Sequence, residues 1–206
     1  MLKKILNFFR KLLFRKKDVR LGFYGSTNVG KTTLANRIAV DLVGEVVGPV
    51  SPIPHETRAV MEKQEVVLKT GGYSLSMDIL DMPGIAVKVD YRDFMEYGLG
   101  KQEAQLRAKE ATRGIIEAVK WLEDVDAALV IMDSTEDPYN QVNITLLGNL
   151  EAKSIPFVIV ANKIDLPGAN TKRIKEVFPN YAVVEVSAAT GENMENLYDE
   201  LTVHLL

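Results

Sequence analysis

Gly25-Ser26-Thr27-Asn28-Val29-Gly30-Lys31-Thr32 fits the pattern Gly-x-x-x-x-Gly-Lys-Ser/Thr at every defined position. Glycines let a short loop turn several backbone N–H groups inward, where they can surround phosphate oxygens. A lysine beside them reaches the outer phosphates, and the hydroxyl that follows offers a ligand to Mg²⁺. The chemistry open to this stretch is therefore the holding of a nucleoside triphosphate. Ser26, Thr27, Asn28, Val29, Gly30, Lys31, Thr32 and Thr33 are the candidate contacts. Val19-Arg20-Leu21-Gly22-Phe23-Tyr24 before the loop reads as a buried strand, and Thr33-Leu34-Ala35-Asn36-Arg37-Ile38 after it as a helix start. Strand, loop and helix in that order would aim a helix N-terminus at the phosphates.

The base is addressed further along. Asn162-Lys163-Ile164-Asp165 follows Phe157-Val158-Ile159-Val160-Ala161, an unbroken apolar run of the kind found in parallel strands buried on both faces. A carboxylate beyond such a strand can accept from both the ring N–H and the exocyclic amino group of guanine, a donor pair adenine lacks. Asp165 is the predicted guanine reader. Asn162 would tie this loop to the phosphate loop, and the stem of Lys163 would cover the base.

Two further elements occur in the required order. Asp81-Met82-Pro83-Gly84 ends the predicted strand Ser74-Leu75-Ser76-Met77-Asp78-Ile79-Leu80. Asp81 would hold Mg²⁺ through water, and the Gly84 N–H would sense the γ-phosphate. Ser187-Ala188-Ala189 ends the predicted strand Tyr181-Ala182-Val183-Val184-Glu185-Val186, and the Ala188 N–H would meet the guanine carbonyl oxygen.

With these motifs in place, the chain from Val19 to Leu206 resembles small P-loop GTPases of the translation-factor-related class, in their Era/TrmE-like branch. The resemblance implies an α/β fold, a doubly wound and mostly parallel sheet over residues 18–206. It implies GTP and GDP as ligands, hydrolysis of GTP to GDP and phosphate, and a molecular-switch role with an effector or activating protein as partner. Lys31 and its loop would bind phosphate, Thr32 would bind Mg²⁺, and Asn162, Lys163, Asp165 and the Ser187–Ala189 loop would hold guanine. It further implies a first switch whose threonine closes over Mg²⁺ when the γ-phosphate is present. Thr57, within Pro54-His55-Glu56-Thr57-Arg58, is the candidate, because Ala59 onward reads as the next strand and Thr70 lies too far along. Lys31, Thr57 and Gly84 are then the residues expected at the reacting phosphate.

The sequence departs from the Ras-like pattern after Asp-x-x-Gly. There a glutamine orients the attacking water; here the position is Ile85, which cannot hydrogen-bond water. The Era/TrmE-like branch resembles this chain in carrying an apolar residue there. In part of it a phosphate-loop asparagine binds K⁺, and Asn28 occupies the matching position. Asn28 also suits a left-handed loop turn without any ion, so both roles stand open. Turnover should be slow, on the order of 10⁻⁴ to 10⁻² s⁻¹, unless a cation or partner completes the site.

Composition fits one globular domain of 206 residues, 47% hydrophobic and 26% charged. Cysteine is absent, which excludes disulfide and thiolate–metal chemistry and suits a reducing cytoplasm. The two histidines, His55 and His204, are too few and too far apart for a zinc site. Charge is unevenly sorted: residues 1–20 hold eight of the 25 basic residues and one of the 28 acids, on a chain of net charge −3.

Residues 1–17 form a segment of their own. At 100° per residue Leu2, Ile5, Leu6, Phe8, Phe9, Leu12 and Leu13 share one arc, with Lys3, Lys4, Arg10, Lys11 and Arg15 opposite, and Phe14 and Lys16 break the pattern near the end. No run approaches the ~20 apolar residues of a spanning helix, and no small-residue cleavage site follows. The pattern describes an amphipathic helix in the interface of an anionic membrane, similar in kind to that of Arf-family GTPases, which would make the protein peripheral at the inner membrane face. Packing of the helix on the domain and docking to RNA or protein are the alternatives. A ribosome-assembly or RNA-binding GTPase, and a nucleotide-locked scaffold with negligible hydrolysis, are the competing functions. Between Gly84 and the predicted strand Ala127-Ala128-Leu129-Val130-Ile131-Met132 lie 42 residues. Within them 102–122 reads as a long helix whose inner stripe is Ala104, Ala108, Ala111, Ile115, Ala118, Val119 and Leu122. This stretch is either a partner surface or plain scaffold. Residues 140–151 and 191–205 supply later helices.

Overall fold

The computed structural model describes residues 19–51, 57, 59–70, 73–86 and 89–205. The predicted helix over residues 1–17, His55 and the side chain of His204 lie outside the described residues.

Six strands form one sheet in the order β2-β3-β1-β4-β5-β6. They are β1 (Val19–Tyr24), β2 (Met61–Thr70), β3 (Tyr73–Asp81), β4 (Ala127–Asp133), β5 (Phe157–Asn162) and β6 (Val183–Glu185). All neighbours pair in parallel except β2 and β3, an antiparallel hairpin that makes β2 an edge strand. The helices are α1 (Lys31–Val43), α2 (Tyr91–Met95), α3 (Lys101–Lys120), α4 (Gln141–Ala152), α5 (Thr171–Val177) and α6 (Met194–Leu205). The expected doubly wound α/β sheet is what forms.

The alternation of side chains along β4 shows why helices must cover both faces. Ala127, Leu129 and Ile131 enter one apolar cluster with Leu34 and Ile38 of α1 and Leu197 and Leu201 of α6. Ala128, Val130 and Met132 enter a second with Ala118 of α3 and Leu146 and Leu150 of α4. A strand buried on both faces has no polar side to show, and that is why its sequence is a continuous apolar run.

Boundaries depart from the sequence reading in informative ways. The strand expected from Ala59 begins at Met61, and the strand expected over 181–186 is confined to Val183–Glu185. The long helix ends at Lys120 and tightens into a 3₁₀ turn, Trp121–Glu123. That turn buries Leu122, whereas Val119 is 45% exposed, so Val119 does not belong to the inner stripe. Phe94 of α2 packs with Ala104 and Ala111 of α3 in a small separate cluster, placing the 42-residue stretch as a helical pair beside the sheet.

Candidate nucleotide site

The phosphate loop and residues 81–84, 162–165 and 187–189 fall at the carboxyl ends of parallel strands, on both sides of β1, where the strand order reverses. Open α/β sheets bind ligands at that crevice. Residues 25–30 connect β1 to α1, and α1 opens with no side-chain cap and no acidic residue in its first turn. Its first N–H groups are thus not satisfied by a cap, the condition under which a helix N-terminus accepts an anion.

Two glycines are required here by close approach. Gly30 has φ 95°, and a Cβ on it would meet Asn162 Nδ2 at 2.4 Å. A Cβ on Gly84 would meet Thr27 Cγ2 at 2.6 Å and Thr27 Cα at 3.0 Å. The loop after Asp81 is therefore pressed against the phosphate loop. Ser26 pairs with Ile85 in a parallel bridge, and Ile85 N–H donates to the Gly25 carbonyl at 3.1 Å. Asn28 has φ 60° and is exposed, the left-handed turn expected of it.

Lys31 is buried, and its Nζ donates to the Ser26 carbonyl at 2.6 Å. Burial pulls its pKa down to about 8, against the opposing charge of Asp81. Thr32 Oγ1 donates to Asp81 Oδ2 at 2.6 Å and lies 3.1 Å from Thr57 Oγ1, so the two threonines meet on one carboxylate. Asp81 is fully buried. Burial pushes it up to about 6, opposed by the Thr32 hydrogen bond, the Lys31 charge and the Thr57 hydroxyl. Its other oxygen, Oδ1, is buried with no hydrogen-bond partner. Two hydroxyls and a carboxylate whose second oxygen is buried without a partner are a hard-oxygen set that fits Mg²⁺. Among the described residues no group of three or more His, Asp or Glu converges on a point.

Across the crevice Asn162 joins two loops. Its Nδ2 donates to the Val29 carbonyl at 2.8 Å, and its Oδ1 accepts from the Ala188 N–H at 3.0 Å. The predicted tie to the phosphate loop is present, but the Ala188 N–H expected on guanine is engaged by Asn162 in this state. Asp165 is exposed, and its carboxylate has no partner among the described residues. Ser187 is buried, its Oγ accepting from the Thr190 N–H at 3.1 Å. Thr33 lies in the first turn of α1.

Two contributors were not read from the sequence. Arg37 on α1 donates through Nη2 to the Ala189 carbonyl at 2.8 Å and through Nε to the Ala188 carbonyl at 3.3 Å. Asp133, at the end of β4, accepts from Lys163 Nζ at 2.6 Å. Neither belongs to a short motif: their partners lie 151 and 30 residues away. The one available signal was an acid ending an otherwise apolar strand.

Comparison with known proteins agrees with this geometry. A family profile described as 50S ribosome-binding GTPase matches residues 20–163. GTPase Era of Caldanaerobacter subterraneus subsp. tengcongensis is 32% identical over 197 residues, covering 90% of this chain and 56% of that protein. The tRNA modification GTPase MnmE of Syntrophobacter fumaroxidans is 29% identical over 193 residues, covering 93% of this chain and 35% of that protein. The chain thus spans roughly a third to just over half the length of the curated relatives it matches. Among solved structures, a variant of Aquifex aeolicus Era bound to GDP and AlF₄⁻ shares the fold at a TM-score of 0.69 and 24% identity, covering 93% of this chain and 58% of that one. Era in complex with MgGDPNP and a segment of 16S ribosomal RNA matches with the same TM-score and identity.

Proposed function

The chain belongs to the 50S ribosome-binding GTPase family, and from that premise we propose that it is a GTP-hydrolysing switch whose phosphate, metal and base contacts are the residues assembled above. The observation that carries the reading is the meeting of Thr32, Thr57 and Asp81 beside buried Lys31. One threonine comes from the phosphate-loop helix and the other from the segment between α1 and β2, so any ligand bound there is held from both sides.

The reaction is in-line attack of water on the γ-phosphate, giving GDP and phosphate. Lys31 exchanges its bond to the Ser26 carbonyl for phosphate oxygens, and with the loop N–H groups it stabilises charge as it develops. Thr32, Thr57 and Asp81 would hold Mg²⁺, which when bound neutralises the β- and γ-phosphate oxygens. Asp165 accepts from guanine, Asn162 keeps the two loops in register, and Gly84 meets the γ-phosphate by its N–H. Ile85 packs against the apolar cluster under α3, so it cannot orient water. A cation at Asn28 or an activating partner would complete the site, and without one turnover is slow.

Single-turnover cleavage of GTP by the full chain tests the reading. Lys31→Ala should abolish tight triphosphate binding, and Thr57→Ala should spare GDP while losing the GTP state. Equal affinity for ATP and GTP would sink it.

Recruitment to an anionic membrane at the cytoplasmic face through residues 1–17 is the second part of the proposal, supported by their +7-leaning charge and apolar arc. No helix among the described residues is long and apolar enough to cross a membrane. Ribosome or RNA association is the competing reading, favoured by the ribosomal RNA bound to the Era neighbour.

A further inference from the structure

Lys163 follows β5 with φ 65°, a left-handed conformation that a residue with a Cβ adopts only when its surroundings hold it there. Its ammonium donates to Asp133 Oδ2 at 2.6 Å, and the Asp133 side chain is only 5% exposed. The other carboxylate oxygen, Oδ1, accepts from the Thr135 N–H at 2.9 Å and from Thr135 Oγ1 at 2.7 Å. Three hydrogen bonds from two residues thus fix the carboxylate. Burial alone would raise its pKa, but Lys163 and Thr135 hold it below the usual carboxylate range, so the Asp133 carboxylate stays ionised at neutral pH.

A lysine whose charge is taken by a buried carboxylate has no charge left to offer a phosphate. What it can still present is its four-carbon stem, the apolar part of a long cationic side chain. Two residues further on, Asp165 stands exposed, its carboxylate without a partner among the described residues. The lysine is also immobilised in advance, so a ligand binding against it need not freeze its rotamers.

We propose that Asp133, oriented by Thr135, is a positioning residue for base recognition: it anchors the Lys163 ammonium so that the lysine stem stands as a fixed wall over the purine ring that Asp165 reads. The inference rests on the guanine-nucleotide reading and adds to it a residue outside the nucleotide-binding motifs. Asp133 touches no part of the nucleotide and acts through Lys163. Its loss should weaken GDP and GTP alike, because both carry the same base, and should leave the preference of GTP over XTP unchanged, because Asp165 is untouched.

The test is a double-mutant cycle on the full chain, read as the dissociation rate of fluorescently labelled GDP and GTP. Asp133→Ala should speed release of both about tenfold. Asp133→Asn keeps the shape of the site and one acceptor oxygen but turns an NH2 toward the other partner, so it should also speed release, and it stands in if the alanine variant folds poorly. Lys163→Met keeps an unbranched apolar stem that needs no counter-ion. In that background Asp133→Ala should change the release rate less than twofold. Melting of the nucleotide-free proteins separates the alternatives, since a purely structural role couples the two residues in stability but not in release rate. Additive effects on release, or no effect of Asp133→Ala, would overturn the inference while GDP binding by the wild type left the guanine reading intact. Failure of the wild type to bind GDP would remove both.

Discussion

Asn162 Nδ2 donates to the Val29 carbonyl across 133 residues of sequence, at 2.8 Å. This one bond ties the end of β5 to the phosphate loop, and the same carboxamide also receives the Ala188 N–H. All three residues are buried. Asn162→Ala would leave a carbonyl and an N–H buried without partners, at about 1–3 kcal/mol each. Part of this cost also falls on the nucleotide-free protein; the share of about 1.4–2.8 kcal/mol that falls on the bound state lowers guanine-nucleotide affinity by about ten- to a hundredfold. Asn162→Asp keeps the acceptor for Ala188 but sets a carboxylate oxygen against the Val29 carbonyl, so it should lose at least as much. Calorimetric titration with GDP reads both, and wild-type affinity in Asn162→Ala would mean the two loops hold their register without this bridge.

Asp165 can be tested by changing the base instead of the protein. Xanthine replaces the exocyclic amino donor of guanine with a carbonyl acceptor. Asp165→Asn should shift preference from GTP toward XTP, with the lost guanine pairing costing several kcal/mol. Because the wild-type carboxylate is exposed and has no partner among the described residues, this substitution should leave the melting temperature of the nucleotide-free protein nearly unchanged. Retained GTP preference in the variant would remove Asp165 as the reader.

These residues were legible because glycine, lysine and carboxylate at fixed spacing leave few alternatives. Gly30 and Gly84 are spelled out in the motifs, and the structure supplies the neighbours, Asn162 and Thr27, that exclude any Cβ. β4 and β5 were legible because burial on both faces removes polar residues from all but their last positions, Asp133 and Asn162. The helices α2 and α5 were not, since five and seven residues are too short to display a 3.6-residue period. Val119 was misplaced for a geometric reason. It falls about 60° round the helix from Ala104 at 3.6 residues per turn, away from the side on which Ala111 and Ala118 are buried. Arg37 and Asp133 depend on which loops meet in space, and no local pattern encodes that.

Asn28 carries the prediction about a monovalent ion. Its φ of 60° accounts for asparagine by backbone conformation alone, so the ion needs an independent readout. If Asn28 holds K⁺, hydrolysis should rise severalfold when K⁺ replaces Na⁺ at constant ionic strength. Asn28→Gly, which keeps the left-handed turn, should flatten that response and spare GDP affinity. Equal rates in the two salts would leave the side chain as a loop former.

Membrane recruitment is tested with vesicles. Each basic residue near an anionic leaflet contributes about 1 kcal/mol, and buried Phe and Leu side chains add an apolar contribution. Flotation should require acidic lipid, weaken with salt and fail when residues 1–17 are removed. Phe9→Glu, within the apolar arc, should abolish it more completely than Lys11→Glu. Retention on RNA with no flotation would move the segment to the ribosome-associated reading.

The buried pair Lys31 and Asp81 makes binding depend on pH from both sides. Burial places Asp81 at about 6 and Lys31 at about 8. Between about 4, the ordinary aspartate value, and 6, the folded nucleotide-free protein holds a proton the unfolded chain has released, so stability falls as pH rises through that window. Between about 8 and the ordinary lysine value near 10.4, the unfolded chain holds the extra proton, so stability rises with pH. The nucleotide-free protein is therefore least favoured by this pair near neutrality, where both groups are charged. Magnesium nucleotide reverses the balance, because it needs Asp81 ionised and Lys31 protonated. Affinity for Mg²⁺·GTP should trace a bell, falling below about pH 6 and above about pH 8. A terminal phosphate titrates near 6 by itself, so the acid limb is read as the difference between wild type and Asp81→Asn. Lys31→Met should lower affinity throughout and remove the alkaline limb. Chelating Mg²⁺ gives the sharpest contrast: with no metal, ionised Asp81 repels phosphate, and affinity for the free nucleotide should rise as pH falls through 6. An acid limb of the same sign with and without Mg²⁺ would show that Asp81 does not face the metal.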